Sequence, residues 1–223
     1  MSRLLDRRRP AFLLAAVVVL SAVLIGASRV GSGGSSAPAN SSEQSSLAGI
    51  PQAGLALGDP NAPVTLVEYA DPQCPYCAEW ARSALPVLVD EYVRTGKVRI
   101  VFRGLAFIGP DSERALRAVL GASRQNRSWD VVDALYRRQG AENRGWVTEE
   151  LLAEVAGPRA VAEGSKPWVD RQLATAAETA EAAGVRGTPA FQVGRTGRKL
   201  ELVFLESLGP EGLRPALDAA LAA

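Results

Sequence analysis

The sequence predicts an α/β domain whose strands are interrupted by a block of helices, preceded by an N-terminal apolar segment. Short apolar and β-branched runs, bounded by turn-forming residues, lie at 64–69 and 98–102, and such runs are typical of buried strands. Another short strand is expected at 190–193, and helix-forming and helix-capping patterns fill residues 110–183 before it. Strands on both sides of a helical stretch predict an α/β unit, either one compact domain with its own core or a domain that carries an insertion.

The N-terminus carries the charge pattern of an exported or membrane-anchored chain. Four arginines within residues 1–10 precede an uncharged apolar run at 11–27, and basic residues beside the first hydrophobic segment stay on the cytoplasmic side. The length of the run suits a transmembrane anchor or a signal segment, and Ile25-Gly26-Ala27 is a mediocre cleavage site, which favours the anchor. We expect a single-pass protein of the cell membrane with an extracytoplasmic domain.

A flexible tether is predicted after the apolar segment. Residues 31–46 are mostly Gly, Ser, Ala and Asn, with no apolar period, and such composition forms flexible linkers. We place the linker at 28–54 and the folded domain at 55–221. The net charge of the chain is +1, which does not suggest nucleic acid as a partner.

The first strand contains an unexpected carboxylate. Residues 64–69 should form a central strand, yet Glu68 breaks its apolar character. A carboxylate inside a buried strand costs free energy unless it has a partner or a chemical role. The alternative is that Glu68 lies at the strand end and reaches solvent.

The motif Cys74-Pro75-Tyr76-Cys77 contains both cysteines of the chain. It precedes a helical pattern, so Cys74 should lie at a helix N-terminus, with Cys77 one turn further on. Unpaired N–H groups and the helix dipole stabilise a thiolate there, which predicts Cys74 as a nucleophile of low pKa and Cys77 as the resolving thiol. Pro75 suits the first helical turn, where its missing N–H costs nothing.

Three other readings of the motif are weaker. A zinc half-site needs two further ligands, normally Cys or His, and the chain has no other Cys and no His. A structural disulfide across two residues would restrain the unfolded chain little. Two inert buried thiols are disfavoured by Asp71, Pro72 and Gln73, which indicate a turn.

Helical patterns follow the motif. A helix should run from about 78 to 94 with a kink at Pro86, and the strand at 98–102 comes next. Four helices are then expected, with candidate caps Asp111 and Ser112, Ser128, and Thr148 for the first three, at about 110–123, 128–138, 148–156 and 167–183.

The C-terminal part predicts a hairpin and a closing helix. Pro189 directly precedes the strand at 190–193, a position consistent with a cis X–Pro bond. A turn at 194–197 should lead to a returning strand at 199–205, and residues 210–221 form an amphipathic pattern.

Two segments in this order resemble the DsbA-like thioredoxin family. They are Asp-Pro-Gln-Cys-Pro-Tyr-Cys at 71–77, after a strand, and Gly187-Thr188-Pro189, after the long helical stretch. The resemblance covers about residues 55–221. It implies a thioredoxin fold with an inserted helical domain at about 105–184.

The resemblance also implies site roles. Cys74 matches the nucleophile and Cys77 the resolving cysteine, Pro189 the cis-proline that faces the disulfide, and Thr188 the residue whose backbone pairs with substrate. Glu68 matches a buried acid that assists proton transfer with Cys77.

Pro75 and Tyr76 are expected, with Thr188, to contact the substrate. Tyr76 stands where DsbA itself has His, so the imidazole that would help to stabilise the thiolate is missing. The oxidising strength of the pair is therefore open at this point.

We expect a thiol-disulfide oxidoreductase that oxidises thiols of exported proteins through a Cys74–Cys77 disulfide. A membrane redox partner would reoxidise the pair, and no metal or organic cofactor is implied. Two alternatives stay open: a reductase of the same chemistry, and a non-catalytic tethered peptide-binding module with an inert disulfide.

Overall fold

The computed structural model describes residues 45–223. The expected basic N-terminus (1–10), apolar segment (11–27) and most of the tether (28–54) therefore lie outside the described residues. From residue 45 onward, no helix combines the length and the apolar character needed to span a membrane.

The described chain forms a six-stranded sheet in the spatial order β1-β2-β4-β3-β5-β6. Its strands are β1 (Gln52–Ala53), β2 (Ala56–Leu57), β3 (Val64–Ala70), β4 (Val98–Gly104), β5 (Ala190–Arg195) and β6 (Glu201–Val203). Strand β3 is central and fully buried, as predicted. It runs parallel to β4 and antiparallel to β5, and this register places Glu68 between Phe102 and Phe191.

The helical insertion, α2 to α6, lies between β4 and β5, as predicted. The helices are α1 (Pro75–Leu88), α2 (Pro110–Ser123), α3 (Ser128–Arg137), α4 (Glu149–Val155), α5 (Pro158–Gly164), α6 (Pro167–Ala182) and α7 (Arg214–Ala222). Helix α5 was not predicted, because no helix was expected between those at 148–156 and 167–183. Gly157 has a φ of 87°, and proline at the first position of a helix favours a new start.

Two of the predicted helix caps are wrong. Helix α2 begins after Gly109 without a side-chain cap, because Asp111 and Ser112 bond to other parts of the fold. Ser128 is the first residue of α3 rather than its cap, and its hydroxyl donates to the Gly54 carbonyl at 2.6 Å. The cap of α4 is confirmed, since Thr148 accepts from the Leu151 N–H.

The folded domain begins earlier than residue 55. Leu47 and Ile50 are buried in the main core, and β1 precedes the expected boundary. The Arg94 guanidinium donates to the carbonyls of Ser46 and Ala48. The tether boundary at 54 is thus too late, because two isolated apolar residues in a polar stretch gave no visible period.

Other helix and strand bounds also differ. Helix α1 begins at Pro75, and after Pro86 it changes into a π-helical turn at Val89–Val93. Strand β5 extends to Arg195, and β6 covers only three residues. The closing segment is a 3-10 turn at Pro210–Gly212 followed by α7.

The two faces of the sheet carry separate cores. The main core joins Leu66 of β3 with helix residues including Trp80 of α1 and Trp129 of α3. The smaller core joins Val67 and Tyr69 with α6. Because side chains alternate along a strand, Glu68 shares the face of Leu66 and points into the main core.

Candidate active site

Cys74 and Cys77 meet at the start of α1, at the carboxyl end of β3. Cys74 is the N-cap residue, and its sulfur accepts from the Cys77 backbone N–H at 3.4 Å. Both cysteines are buried and in the thiol form. The geometry is that of a dithiol in which one sulfur faces the unpaired N–H groups of a helix.

The two thiols differ in acidity. A hydrogen bond from the Cys77 thiol is the main cause that lowers the pKa of Cys74 to about 6, with help from Thr188 and from backbone groups of Cys77 and Tyr76. Burial is the main cause that raises the pKa of Cys77 well above its usual value. Cys74 can therefore act as a thiolate at neutral pH while Cys77 holds its proton.

Thr188 and Pro189 lie beside Cys74, although they are more than 100 positions away in the chain. The Thr188–Pro189 bond is cis. The Thr188 carbonyl accepts from the Cys74 thiol at 3.3 Å. The structure thus brings the Gly187-Thr188-Pro189 segment to the dithiol, as the resemblance implied.

Glu68 is buried beneath the site, with 1% of its surface exposed. The alternative that it reaches solvent at the strand end is therefore wrong. Within residues 45–223, neither carboxyl oxygen has a hydrogen-bond partner. Burial, and secondarily the charge of Cys74, raises the pKa of Glu68 to about 8, so the group is largely protonated at neutral pH.

Pro75 and Tyr76 form the outer surface of the motif. Pro75 occupies the first turn of α1 and is exposed, and 60% of the Tyr76 side chain is exposed. Both are available to a molecule that approaches Cys74.

Sequence reasoning missed a set of polar residues that hold the segment before Cys74. Asp71 and Gln73 were interpreted only as turn formers and Ser112 as a cap, and Gln139 and Asn143 were not singled out. These five side chains form hydrogen bonds that join residues 71–74 to the helical insertion. No local pattern reveals them, because the partners lie 39 to 70 positions apart.

No group of three or more His, Cys, Asp or Glu side chains suited to a metal ion occurs between residues 45 and 223. Within that part of the chain, the reactive groups of the site are the two thiols and the Glu68 carboxyl.

A family model described as thioredoxin matches residues 52–219. "Probable disulfide bond formation protein D" of Bacillus anthracis is 38% identical over 101 residues, which cover 44% of this chain and 46% of that protein. The chain spans about half the length of the three Bacillus proteins with this kind of name that it matches.

Two solved structures share the fold. Oxidised BdbD from Bacillus subtilis aligns with a TM-score of 0.66 at 21% identity, covering 78% of this chain and 98% of that one. A thioredoxin-like oxidoreductase from Silicibacter pomeroyi aligns with a TM-score of 0.62 at 29% identity, covering 81% and 99%. The predicted DsbA-like thioredoxin fold with a helical insertion is confirmed.

Proposed function

Because this chain belongs to the thioredoxin family, as a DsbA-like member, we propose that it is a protein disulfide oxidoreductase that donates a Cys74–Cys77 disulfide to thiols of exported proteins. The observation that carries the proposal is the acidic Cys74 thiol at the start of α1, beside Thr188 and cis-Pro189. A relative named for disulfide bond formation supports it.

Transfer begins when a substrate thiolate attacks the Cys74 sulfur of the enzyme disulfide. The Cys74–Cys77 bond breaks, a mixed disulfide joins the substrate to Cys74, and the electron pair remains on Cys77. A second substrate thiolate attacks the substrate sulfur and releases Cys74 as a thiolate, which leaves readily because its pKa is about 6. The substrate loses two electrons and the enzyme gains them.

We assign the proton that Cys77 takes up to Glu68. The Cys77 thiolate is a strong base, because burial and then its interactions with Cys74 and Glu68 raise its pKa. The Glu68 carboxyl holds a proton below about pH 8, and its oxygens have no hydrogen-bond partner among residues 45–223. A neutral buried acid beside a departing thiolate is placed for general acid catalysis.

The substrate polypeptide is proposed to lie over Cys74, in contact with Thr188, Pro75 and Tyr76. The Thr188 backbone already approaches the Cys74 sulfur, and Pro75 and Tyr76 are exposed next to it. An extended substrate could pair with the Thr188 backbone while its own sulfur reaches Cys74.

The direction of transfer is proposed from the redox form of the dithiol that the site stabilises, which is the reduced one. A low pKa for Cys74 stabilises the reduced, thiolate form, which makes the disulfide a stronger oxidant. Tyr76 supplies no imidazole, but the Cys77 thiol and the backbone N–H groups of Cys77 and Tyr76 stabilise the thiolate instead. These groups support the proposal that the pair keeps an oxidising tendency although Tyr76 stands where DsbA has His.

The proposed setting is the outer face of the cell membrane. It rests on the basic residues before the apolar run at 11–27 and on the Gly- and Ser-rich stretch that follows. A membrane redox partner that accepts two electrons from the dithiol would return Cys74 and Cys77 to the disulfide.

The test is the equilibrium redox potential of the purified chain in glutathione buffers. A potential well above about −200 mV supports disulfide donation, and a potential near about −270 mV would establish a reductase of the same chemistry. A Cys74 pKa near about 8.5 with no turnover would leave only a non-catalytic peptide-binding module.

A second experiment tests the role of each thiol. In Cys77→Ala, Cys74 should retain exported substrates as mixed disulfides, because the resolving thiol is gone. In Cys74→Ala no substrate should be trapped, and equal trapping by both variants would contradict the assignment of Cys74 as the nucleophile.

A further inference from the structure

We propose that Asp71 is a positioning residue that connects the helical insertion to both thiols and thereby sets the redox equilibrium of the pair. The inference rests on the proposed function, since it concerns the same dithiol. The Asp71 carboxylate bonds to Gln73, Ile108 and Ser112 and would act on the sulfur atoms only through the backbone.

The backbone of Asp71 contacts the active-site turn directly. Its carbonyl accepts from the Cys74 N–H at 3.0 Å and from the Tyr136 hydroxyl at 3.3 Å. Burial mainly raises the pKa of Cys77, and a hydrogen bond from the Asp71 backbone opposes that effect. One residue thus contacts the environments of both sulfur atoms.

The side chain of Asp71 is fully buried and holds this backbone in place. Its Oδ1 accepts from the Gln73 N–H at 2.8 Å and from the Ser112 hydroxyl at 2.5 Å. Its Oδ2 accepts from the Ile108 N–H at 2.9 Å. Three donors, two of them at the start of the helical insertion, fix a carboxylate that would otherwise be costly to bury.

A second set of bonds extends the connection. The Gln73 amide donates to Ser112 at 2.9 Å and to Asn143 at 3.1 Å, and its oxygen accepts from the Asn143 N–H at 2.6 Å. Gln139 donates to the carbonyls of Pro72 and Cys74 at 2.9 and 3.0 Å. Each of the four residues from 71 to 74 therefore receives at least one bond from α2, α3 or the segment after α3.

This arrangement matters because thiolate stabilisation depends on short distances. The Cys74 sulfur relies on hydrogen bonds from Cys77 and from backbone N–H groups of α1, and a displacement of about 0.5 Å is enough to disturb such a constellation. The reduced form gains most from these bonds, so loosening the turn should favour the disulfide at equilibrium.

The experiment compares two buried serines in the full purified chain. Ser112→Ala removes the hydroxyl that bonds to Asp71, and Ser128→Ala removes a hydroxyl that bonds to Gly54 at 2.6 Å. We expect both to lower the midpoint of urea unfolding, because each removes a buried hydroxyl that forms a hydrogen bond. Only Ser112→Ala should shift the glutathione equilibrium constant, by about tenfold toward the disulfide, or about 30 mV.

A second readout does not depend on turnover. The pH profile of Cys74 alkylation should move upward by about one unit in Ser112→Ala and stay at its original midpoint in Ser128→Ala. If Ser112→Ala changes stability but neither the equilibrium nor the profile, Asp71 has no positioning role. Asp71→Asn, which replaces one acceptor oxygen of this carboxylate by a donor, should shift both quantities in the same direction and decides the matter if Ser112→Ala does not fold.

The two proposals fail in different ways. If the wild-type chain does not exchange disulfides with glutathione or a thiol substrate, the proposed function is wrong. The alkylation profiles would still show whether Asp71 and its partners control Cys74.

Discussion

Glu68 and Asp71 are two buried carboxyl groups only three positions apart, yet the fold treats them in opposite ways. Asp71 accepts three hydrogen bonds, from Gln73, Ser112 and Ile108. Glu68 accepts none from the described residues and is surrounded by apolar side chains of the main core. The same functional group is held by hydrogen bonds in one place, and in the other we propose that it carries a proton.

The difference shows how partners decide the use of a buried acid. Donors stabilise the charged form and make the carboxylate a fixed structural element, whereas burial without donors favours the neutral form. Strand β3 holds Glu68 under the thiols, and the turn after β3 holds Asp71 where the helical insertion can reach it.

The largest effect is expected for Asp71→Ala, which leaves three buried donors without an acceptor. Loss of a buried, hydrogen-bonded carboxylate should cost about 3–5 kcal/mol in the free energy of unfolding. Urea unfolding at pH 7 measures it. A loss below about 1 kcal/mol would mean that the donors find water, and that Asp71 is no anchor.

Glu68→Gln should raise the free energy of unfolding instead of lowering it. The folded pKa of Glu68, about 8, lies above its ordinary value of 4.5, so this group favours folding fully below pH 4.5, and that contribution is lost as pH rises to about 8. At pH 7 the variant should be more stable than the wild type by on the order of 3 kcal/mol, and the difference should be larger at pH 8.5. A difference that does not change between pH 5 and 8.5 would show that Glu68 does not titrate there.

The third effect is on rate. If Glu68 gives its proton to Cys77, Glu68→Gln should slow the first thiol exchange at pH 7 by about tenfold or more. In the wild type, the proton-transfer contribution should fall as pH rises through about 8. Rapid-mixing measurement with a thiol peptide checks both, and equal rates for the two proteins would rule out the proton transfer.

The smallest effect is expected at Cys74. Its alkylation should show a midpoint near pH 6, where Glu68, whose pKa is about 8, is still protonated and carries no charge. Glu68→Gln should therefore move this midpoint by less than about half a unit. A larger shift would mean that Glu68 affects the pKa of Cys74 even when its carboxyl is neutral.

Local patterns were enough to predict much of the molecule. The apolar run of β3, the helix that Cys74 opens and the strand after Pro189 each follow from neighbouring residues. Other features depend on distant contacts. The burial of Glu68 depends on β4 and β5, which pair with β3 on either side. The bond between Asp71 and Ser112 joins residues 41 positions apart. The sequence predicts Ser112 as a cap, since nothing near it in the chain reveals its bond to Asp71.

Cys74 and Cys77 are packed in the core as thiols. They are the only cysteines among the 223 residues. The single intramolecular disulfide that the chain can form is the one that we propose it donates. A newly made copy therefore has no opportunity for incorrect intramolecular pairing of its two cysteines. Its folding would need no isomerase to correct a wrong disulfide.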